Sequence, residues 1–253
     1  MSSLFVAWRP SEPEHAGWRP VGRLEFDGSL YRFFYTRGAR KPGFRPFSQM
    51  NDRDQVYESE ELFPLFANRL LSQSRPEYDH YLRWSGFDPS NPPDPIVVLG
   101  VTEGLRQTDA VEVFPCPMMD TDGCYTNKFF LHGIRSLPNV AMERIAKLSE
   151  GEPLKLMLDL QNDHDPHAVA VRTDVERMQI GYVPRYLAYD VWQLVQRCDV
   201  DFIELRVDRV NRDAPLQNRV LCRMRACWPD GFQPCGGEDF MPIPAGVPEW
   251  CEP

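Results

Sequence analysis

The sequence lacks any run near the roughly 18 consecutive apolar residues that a membrane-spanning helix requires, so no membrane contact is expected. It also lacks GxxxxGKS/T, GxGxxG behind a strand, GxSxG, HExxH and a paired CxxC, which leaves nucleotide hydrolysis and serine or zinc proteolysis without an anchor. Positive charge is scarce: 28 Lys/Arg stand against 37 Asp/Glu, a formal net charge of −9. That balance excludes holding nucleic acid by broad phosphate neutralisation and leaves only a local pocket for such a role. The first residues do not read as a secretory leader, and seven cysteines are an odd number, so reduced thiols in a cytoplasmic protein are expected. Cys222, Cys227, Cys235 and Cys251 are spaced by five, eight and sixteen, without the short-spaced pairs of a structural zinc site; free thiols are the expectation, with no metal and no cofactor.

What is present is an ordinary globular composition, with 42% hydrophobic and 26% charged residues in a 253-residue chain, enough for one large or two smaller domains. The acidity is uneven: residues 1–126 carry 13 bases and 18 acids, residues 127–225 carry 15 and 14, and residues 226–253 carry five acids and no base. In the first half, "LFVAWR", "VGRLEF" and "YRFFYT" read as a meander with a hairpin turn at Asp27-Gly28. Ser59 reads as the N-cap of a helix carrying Leu62, Phe66 and Leu70 on one face. A second helix is expected over Pro76–Trp84, stopping at Gly86, followed by a loop at 87–95 and two buried strands, "IVVLGVTEG" and "AVEVFPCP". Turn chemistry at 115–126 places a domain boundary near 125.

The second half reads as strand "KFFLHGI", then a helix "NVAMERIAKLSEG" with Val140, Ile145 and Leu148 inward. Strands "PLKLMLDL" and "AVAVRT" come next, and a short strand with a helix in "MQIGYVPRYLAYDVWQLVQRC". Two antiparallel strands, "DFIELRVDRV" and "NRVLCRMRACW", finish it. About five strands and two helices in 100 residues suggest a small, strongly bent antiparallel barrel. The fold class is α+β. The expected organisation is an α+β domain at 1–115, a linker at 116–126, the barrel at 127–228 and an acidic Pro/Gly-rich tail at 229–253.

The densest chemistry is "QNDHDPHAVAV", where Asp163, His164, Asp165 and His167 crowd around Pro166. Imidazole and carboxylate are metal ligands, and a metal-dependent hydrolase on His164, Asp165 and His167 is one reading. Pro166, with Asn162 and Asp163, marks a loop rather than a ligand-bearing helix, and an Asx-rich turn is the plainer reading.

Four motifs in order, Gly133-Ile134-Arg135, Gly151-Glu152-Pro153-Leu154, Asn162 through Val171 and Gly181 through Ala188, resemble the HIRAN domain. The resemblance covers roughly 127–227 and implies a small OB/SH3-like antiparallel β-barrel with two helices that holds the 3′ end of single-stranded DNA. It implies that Asp165 accepts a hydrogen bond from the terminal 3′-hydroxyl, that His164 packs on the terminal base and that Asn162 reads a base edge. Arg135, Tyr182 and Arg185 fall at phosphate-facing positions. Ser136 and Leu137 depart from the pattern, standing where DNA-binding members carry aromatics. From the residues alone, Asp165 could equally cap a turn, Arg135 could pair with Glu152 and Tyr182 could belong to the core. His167 and Asp163 are expected to be solvent-facing turn residues.

"PVGRLEFDGSLYRFFYT", "RPFSQM" and "ELFPLFANRLLSQSRPEYDHYLRWSG" look like the N-terminal subdomain of HipA-type proteins. The kinase that follows in that family is missing, so an interaction role for residues 1–115 with a protein partner is implied. The expectation is a non-enzymatic, cytoplasmic protein that recognises single-stranded DNA 3′ ends in repair or defence. The alternative is a protein-protein interaction module that has lost the DNA pocket.

Overall fold

The computed structural model describes residues 2–9, 18–104 and 110–249. Among them the strands are β1 (Ser2–Trp8), β2 (Arg19–Phe26), β3 (Tyr31–Tyr35), β4 (Tyr57–Ser59), β5 (Val111–Pro115), β6 (Cys124–Phe130), β7 (Pro153–Leu158), β8 (Val169–Thr173), β9 (Gln179–Tyr182), β10 (Glu204–Val210) and β11 (Val220–Cys227). The α-helices are α1 (Pro64–Ala67), α2 (Tyr78–Trp84), α3 (Pro95–Thr102), α4 (Asn139–Ala146) and α5 (Arg185–Arg197). Two compact units result: unit 1 from Met1–Arg75, Pro93–Cys116 and Gln233–Pro253, and unit 2 from Pro76–Pro92 and Pro117–Phe232.

Unit 1 is an antiparallel sheet in the order β4-β3-β2-β1-β5. The Asp27-Gly28 turn joins β2 to β3, and Asp27 accepts from the Leu30 and Ser29 amides, which hold its carboxyl down to about 2. Leu4, Val6, Leu24 and Phe33 face a core shared with Phe44, Met50, Phe66, Ile96 and Leu99. The opposite face is covered too: Phe240 meets Phe5 edge-on at 4.9 Å and Trp18 lies 5.2 Å from Phe114. Burial on both faces is why "LFVA" is a continuous apolar run rather than an alternating one.

Three expectations for this unit are corrected. "PIVVLGVT" is helix α3, not a strand: Pro95 occupies its first position and the Asp94 side chain accepts from the Ile96 amide at 3.0 Å, a cap and start signal that outweighs the β-branched composition. A short, wholly buried apolar run has no periodicity to separate helix from strand. The helix expected from Ser59 shrinks to α1, because Tyr57–Ser59 pairs with β3 instead.

The segment expected to be an acidic tail packs into unit 1. Ile243 donates its amide to the Tyr35 carbonyl at 2.9 Å, and Thr36 bridges Pro242. Arg23, wholly buried, pairs with Glu25 at 2.8 Å and donates to the Pro248 carbonyl at 2.7 Å, with its guanidinium 4.6 Å from the Phe34 ring. Composition alone predicts a loose end here; one buried guanidinium that requires carbonyl partners turns it into a wall of the core.

Unit 2 is an antiparallel sheet in the order β6-β11-β10-β7-β8-β9. It curls until its ends meet: His132, two residues beyond β6, exchanges both backbone hydrogen bonds with Tyr182 in β9, each at 2.9 Å. The barrel is filled by residues such as Phe129, Val169, Val171, Ile180, Val207 and Met224. Helix α5 buries Leu187, Val191 and Leu194 along one stripe. Helix α4 turns in Ala141 and Ile145, while Val140, expected inward, is exposed.

Unit 2 also takes α2, assigned above to the first domain: Asn211 donates to the Trp84 carbonyl at 2.9 Å and Trp84 Nε1 donates to Asp213 at 3.2 Å. The expected linker is partly strand, since β6 starts at Cys124. The expectation of reduced thiols is corrected at Cys116, Cys198 and Cys227, all of which are disulfide-bonded. Cys198, just past α5, and Cys227, at the end of β11, are joined by a disulfide with Cα atoms 6.1 Å apart. Buried Cys222 is a free thiol, raised well above the usual range by desolvation and by nearby Asp208. Cys251 lies outside the described residues.

Candidate nucleic-acid interface

Five of the six residues singled out by sequence, Asn162, His164, Asp165, Tyr182 and Arg185, are linked by hydrogen bonds and an ion pair that run through Asp159, and Arg135 stands apart from them. Tyr182 anchors this network: its backbone closes the sheet against His132, and its hydroxyl donates to Asp159 Oδ2 at 2.9 Å. Gly133 lies beside the ring. It has φ +72°, and a Cβ there would stand 3.0 Å from Tyr182 Cδ2, so the close approach and the left-handed turn both call for glycine. The 3-10 turn Ile134–Ser136 follows directly, with Arg135 exposed.

Asp159 is the residue that sequence reasoning missed. It accepts from Asn162 Nδ2 at 3.0 Å as well as from Tyr182, and these two bonds hold its carboxyl below the usual carboxylate range, Asn162 contributing more. Asn162 is therefore occupied at both ends of its amide: Oδ1 accepts from the His164 amide at 3.0 Å and from the Asp165 amide at 3.1 Å. It shapes the β7–β8 loop as an Asx turn. The available signal was the polar Asp159 directly after an apolar strand, three residues ahead of Asn162.

The turn leaves the His164 side chain exposed, with no hydrogen-bond or ring partner among the described residues. Asp165 uses Oδ1 to accept from the His167 amide at 2.9 Å, while Oδ2 lies 3.8 Å from Arg185 Nε in the first turn of α5. The turn-capping reading of Asp165 thus holds for one oxygen and leaves the other on the rim beside a guanidinium. Arg135 does not pair with Glu152, which is held by Arg144 instead. Tyr182 is half-buried, its ring packed and its hydroxyl engaged.

His167, expected to face solvent, lies 4.8 Å from the Tyr189 ring and 5.2 Å from Trp192, edge-on to both. Arg185, Tyr189 and Trp192 recur at helical spacing along α5, so the loop docks on that helix by one ion pair and one aromatic cluster. Tyr189 remains about half exposed at 51%. That periodicity was readable but looked like an ordinary amphipathic stripe. Among the described residues no group of three or more His, Cys, Asp or Glu side chains is placed to hold a metal ion.

A curled antiparallel sheet whose ends meet at one bridge, with a carboxylate, an unpartnered imidazole and a guanidinium at one loop and the helix it docks on, belongs to the class of small barrel-like β folds. Residues 126–225 match the family model of the HIRAN domain, so a HIRAN domain is placed within unit 2. HIRAN domains are in general DNA-binding. Among solved structures, the chain is similar to the HIRAN domain of human HLTF, at 18% identity over 42% of this chain and 81% of that one, with a TM-score of 0.32. It is likewise similar to a protein from Lactobacillus plantarum, at 16% identity over 41% of this chain and 99% of that one, with a TM-score of 0.31. Comparison with curated proteins found no match.

Proposed function

We propose that the protein is a non-enzymatic binder of single-stranded DNA that recognises the 3′-hydroxyl end through its HIRAN unit. The observation that carries this reading is the geometry of Asp165: Oδ1 is fixed by a backbone amide while Oδ2 stays at the rim, 3.8 Å from Arg185. A carboxylate so held accepts a hydrogen bond from a terminal hydroxyl and repels a terminal phosphate, and the neighbouring guanidinium suits the next phosphate inward. The exposed His164 ring, on the same turn, offers the terminal base a stacking face, a contact worth about 1–3 kcal/mol for an aromatic side chain. Arg135, exposed on the 3-10 turn that follows Gly133, adds a second phosphate contact. Asn162 and Asp159 serve this site by fixing the turn.

The test is fluorescence anisotropy with short single strands ending in 3′-hydroxyl or 3′-phosphate. Preference for the hydroxyl, lost in Asp165→Ala, is the expected result; equal or absent binding of both overturns the reading. Exposed Ser136 and half-buried Leu137, in place of aromatics after Arg135, favour a second reading, a module that binds protein with this fold. The unit 1 sheet is proposed to make protein contacts in either case.

A further inference from the structure

Unit 1 carries a local concentration of positive charge within an acidic chain. Residues 37–54 hold five cations, Arg37, Arg40, Lys41, Arg45 and Arg53, against Asp52 and Asp54, a local net charge of +3 in a chain of −9. Arg40 joins two hollows. One, of about 610 Å3, is lined by Arg40, Asn51, Asp52, Arg53 and Asp54. The other, of about 470 Å3, is lined by Arg37, Arg40, Lys41, Glu238, Asp239, Pro242 and Ile243. Arg45 is exposed and has no ion-pair partner among the described residues.

The second hollow is lined on one side by acids of the chain itself. Glu238 lies 3.3 Å from Arg37 and Asp239 pairs with Lys41, both from the 3-10 turn Glu238–Phe240. Those two carboxylates lower the local charge from +3 to +1. The turn is held in place by apolar and backbone contacts, Phe240 against Phe5 and Met241 accepting from the Arg37 amide at 2.8 Å, so its acids are not needed to seat it. Gly38 fixes the basic turn equally tightly: a Cβ there would stand 1.9 Å from the Pro20 carbonyl oxygen. The Glu238 side chain is 81% exposed, and an ion pair this open adds little to stability. What the pair does change is the field a polyanion meets within a Debye length, about 8 Å at physiological salt.

We propose that residues 37–53 form a second, end-independent binding surface for a nucleic-acid phosphate backbone, and that Glu238 and Asp239 partly mask it. Four of the five cations are arginines, whose planar forks suit phosphate oxygens. The surface is independent of the 3′-end reading of unit 2.

A closed single-stranded DNA circle, which has no 3′ end, separates the two. The full chain is expected to bind the circle weakly, with affinity falling as salt rises, and Glu238→Gln with Asp239→Asn together to tighten binding about threefold to tenfold. Arg40→Glu with Arg45→Glu is expected to weaken it at least about tenfold; Arg45→Glu alone, which breaks no ion pair, is expected to weaken it about threefold. A circle that does not bind, or binds equally well to the arginine variants, overturns the surface. Unchanged affinity in the double neutralisation overturns the masking. Binding of polyglutamate but not the circle overturns the phosphate assignment in favour of an acidic peptide.

Discussion

The two units solve the same problem, covering both faces of an antiparallel sheet, by opposite routes. Unit 2 rolls its sheet until His132 meets Tyr182, so one face becomes the inside of a barrel and the edge problem ends at the closure. Unit 1 stays open and recruits distant parts of its chain as walls: α1 and α3 on one side, Phe240 and the Pro248 carbonyl on the other. The difference decides where each can carry function. A closed barrel concentrates recognition on the loops at its closure, whereas an open sheet offers the segments that wall it.

The sharpest way to break unit 1 and spare unit 2 is Arg23→Ala. It leaves Glu25 buried and unpaired and the Pro248 carbonyl without its donor, and an expected loss of about 3–5 kcal/mol follows. Thermal unfolding checks it, with Arg23→Met expected to cost less because its side chain fills buried space that alanine leaves empty, and 3′-hydroxyl binding at 25 °C is expected to persist in both. The converse experiment is Asp165→Ala, expected to lose a charge-assisted bond of about 1.5–3 kcal/mol to the terminal hydroxyl, an affinity change of about ten- to a hundredfold, while loss of the acceptor for the His167 amide lowers stability by only about 0.5–1.5 kcal/mol.

Gly133→Ala tests whether fold and site are inseparable at the closure. The left-handed backbone costs an alanine about 1–2 kcal/mol, and the added methyl presses on the Tyr182 ring, so stability and 3′-end affinity are expected to fall together. The smallest expected effect belongs to Tyr182→Phe, which removes one hydrogen bond worth about 0.5–1.5 kcal/mol. It carries a pH signature. Because Asp159 is depressed in the folded protein, its bonds stabilise the loop fully above the ordinary carboxylate value and are lost as pH falls through the lower folded one. Without the Tyr182 hydroxyl that folded value rises, and the loss begins at higher pH, as an NMR titration of the Asp159 carboxyl would show.

Unit 2 was legible because its determinants are short-range. The Asn162-to-Val171 loop, the Gly133 turn and the Pro184 entry to α5 are each set by neighbours within a few residues, and alternation with amphipathic spacing marks the strands and helix between them. Asp159 and the His167–Tyr189–Trp192 cluster escaped notice because their roles depend on partners more than twenty residues away. Unit 1 was harder for the same reason on a larger scale. Buried Arg23 finds its acceptors, the 248–249 carbonyls, across more than two hundred residues, and "IVVLGVT" reads as a strand until the Asp94-Pro95 cap is weighed.

One position joins architecture and recognition without slack. Tyr182 closes the sheet with its main chain, occupies the space that Gly133 leaves with its ring, and secures Asp159 with its hydroxyl. Specificity therefore cannot be retuned at 182 as it could at a side chain that only touches ligand. An engineer seeking a different terminal group must work at 164, 165 and 185, treat 182 as part of the chassis, and expect a replaced tyrosine to report first as a looser barrel and only then as a weaker binder.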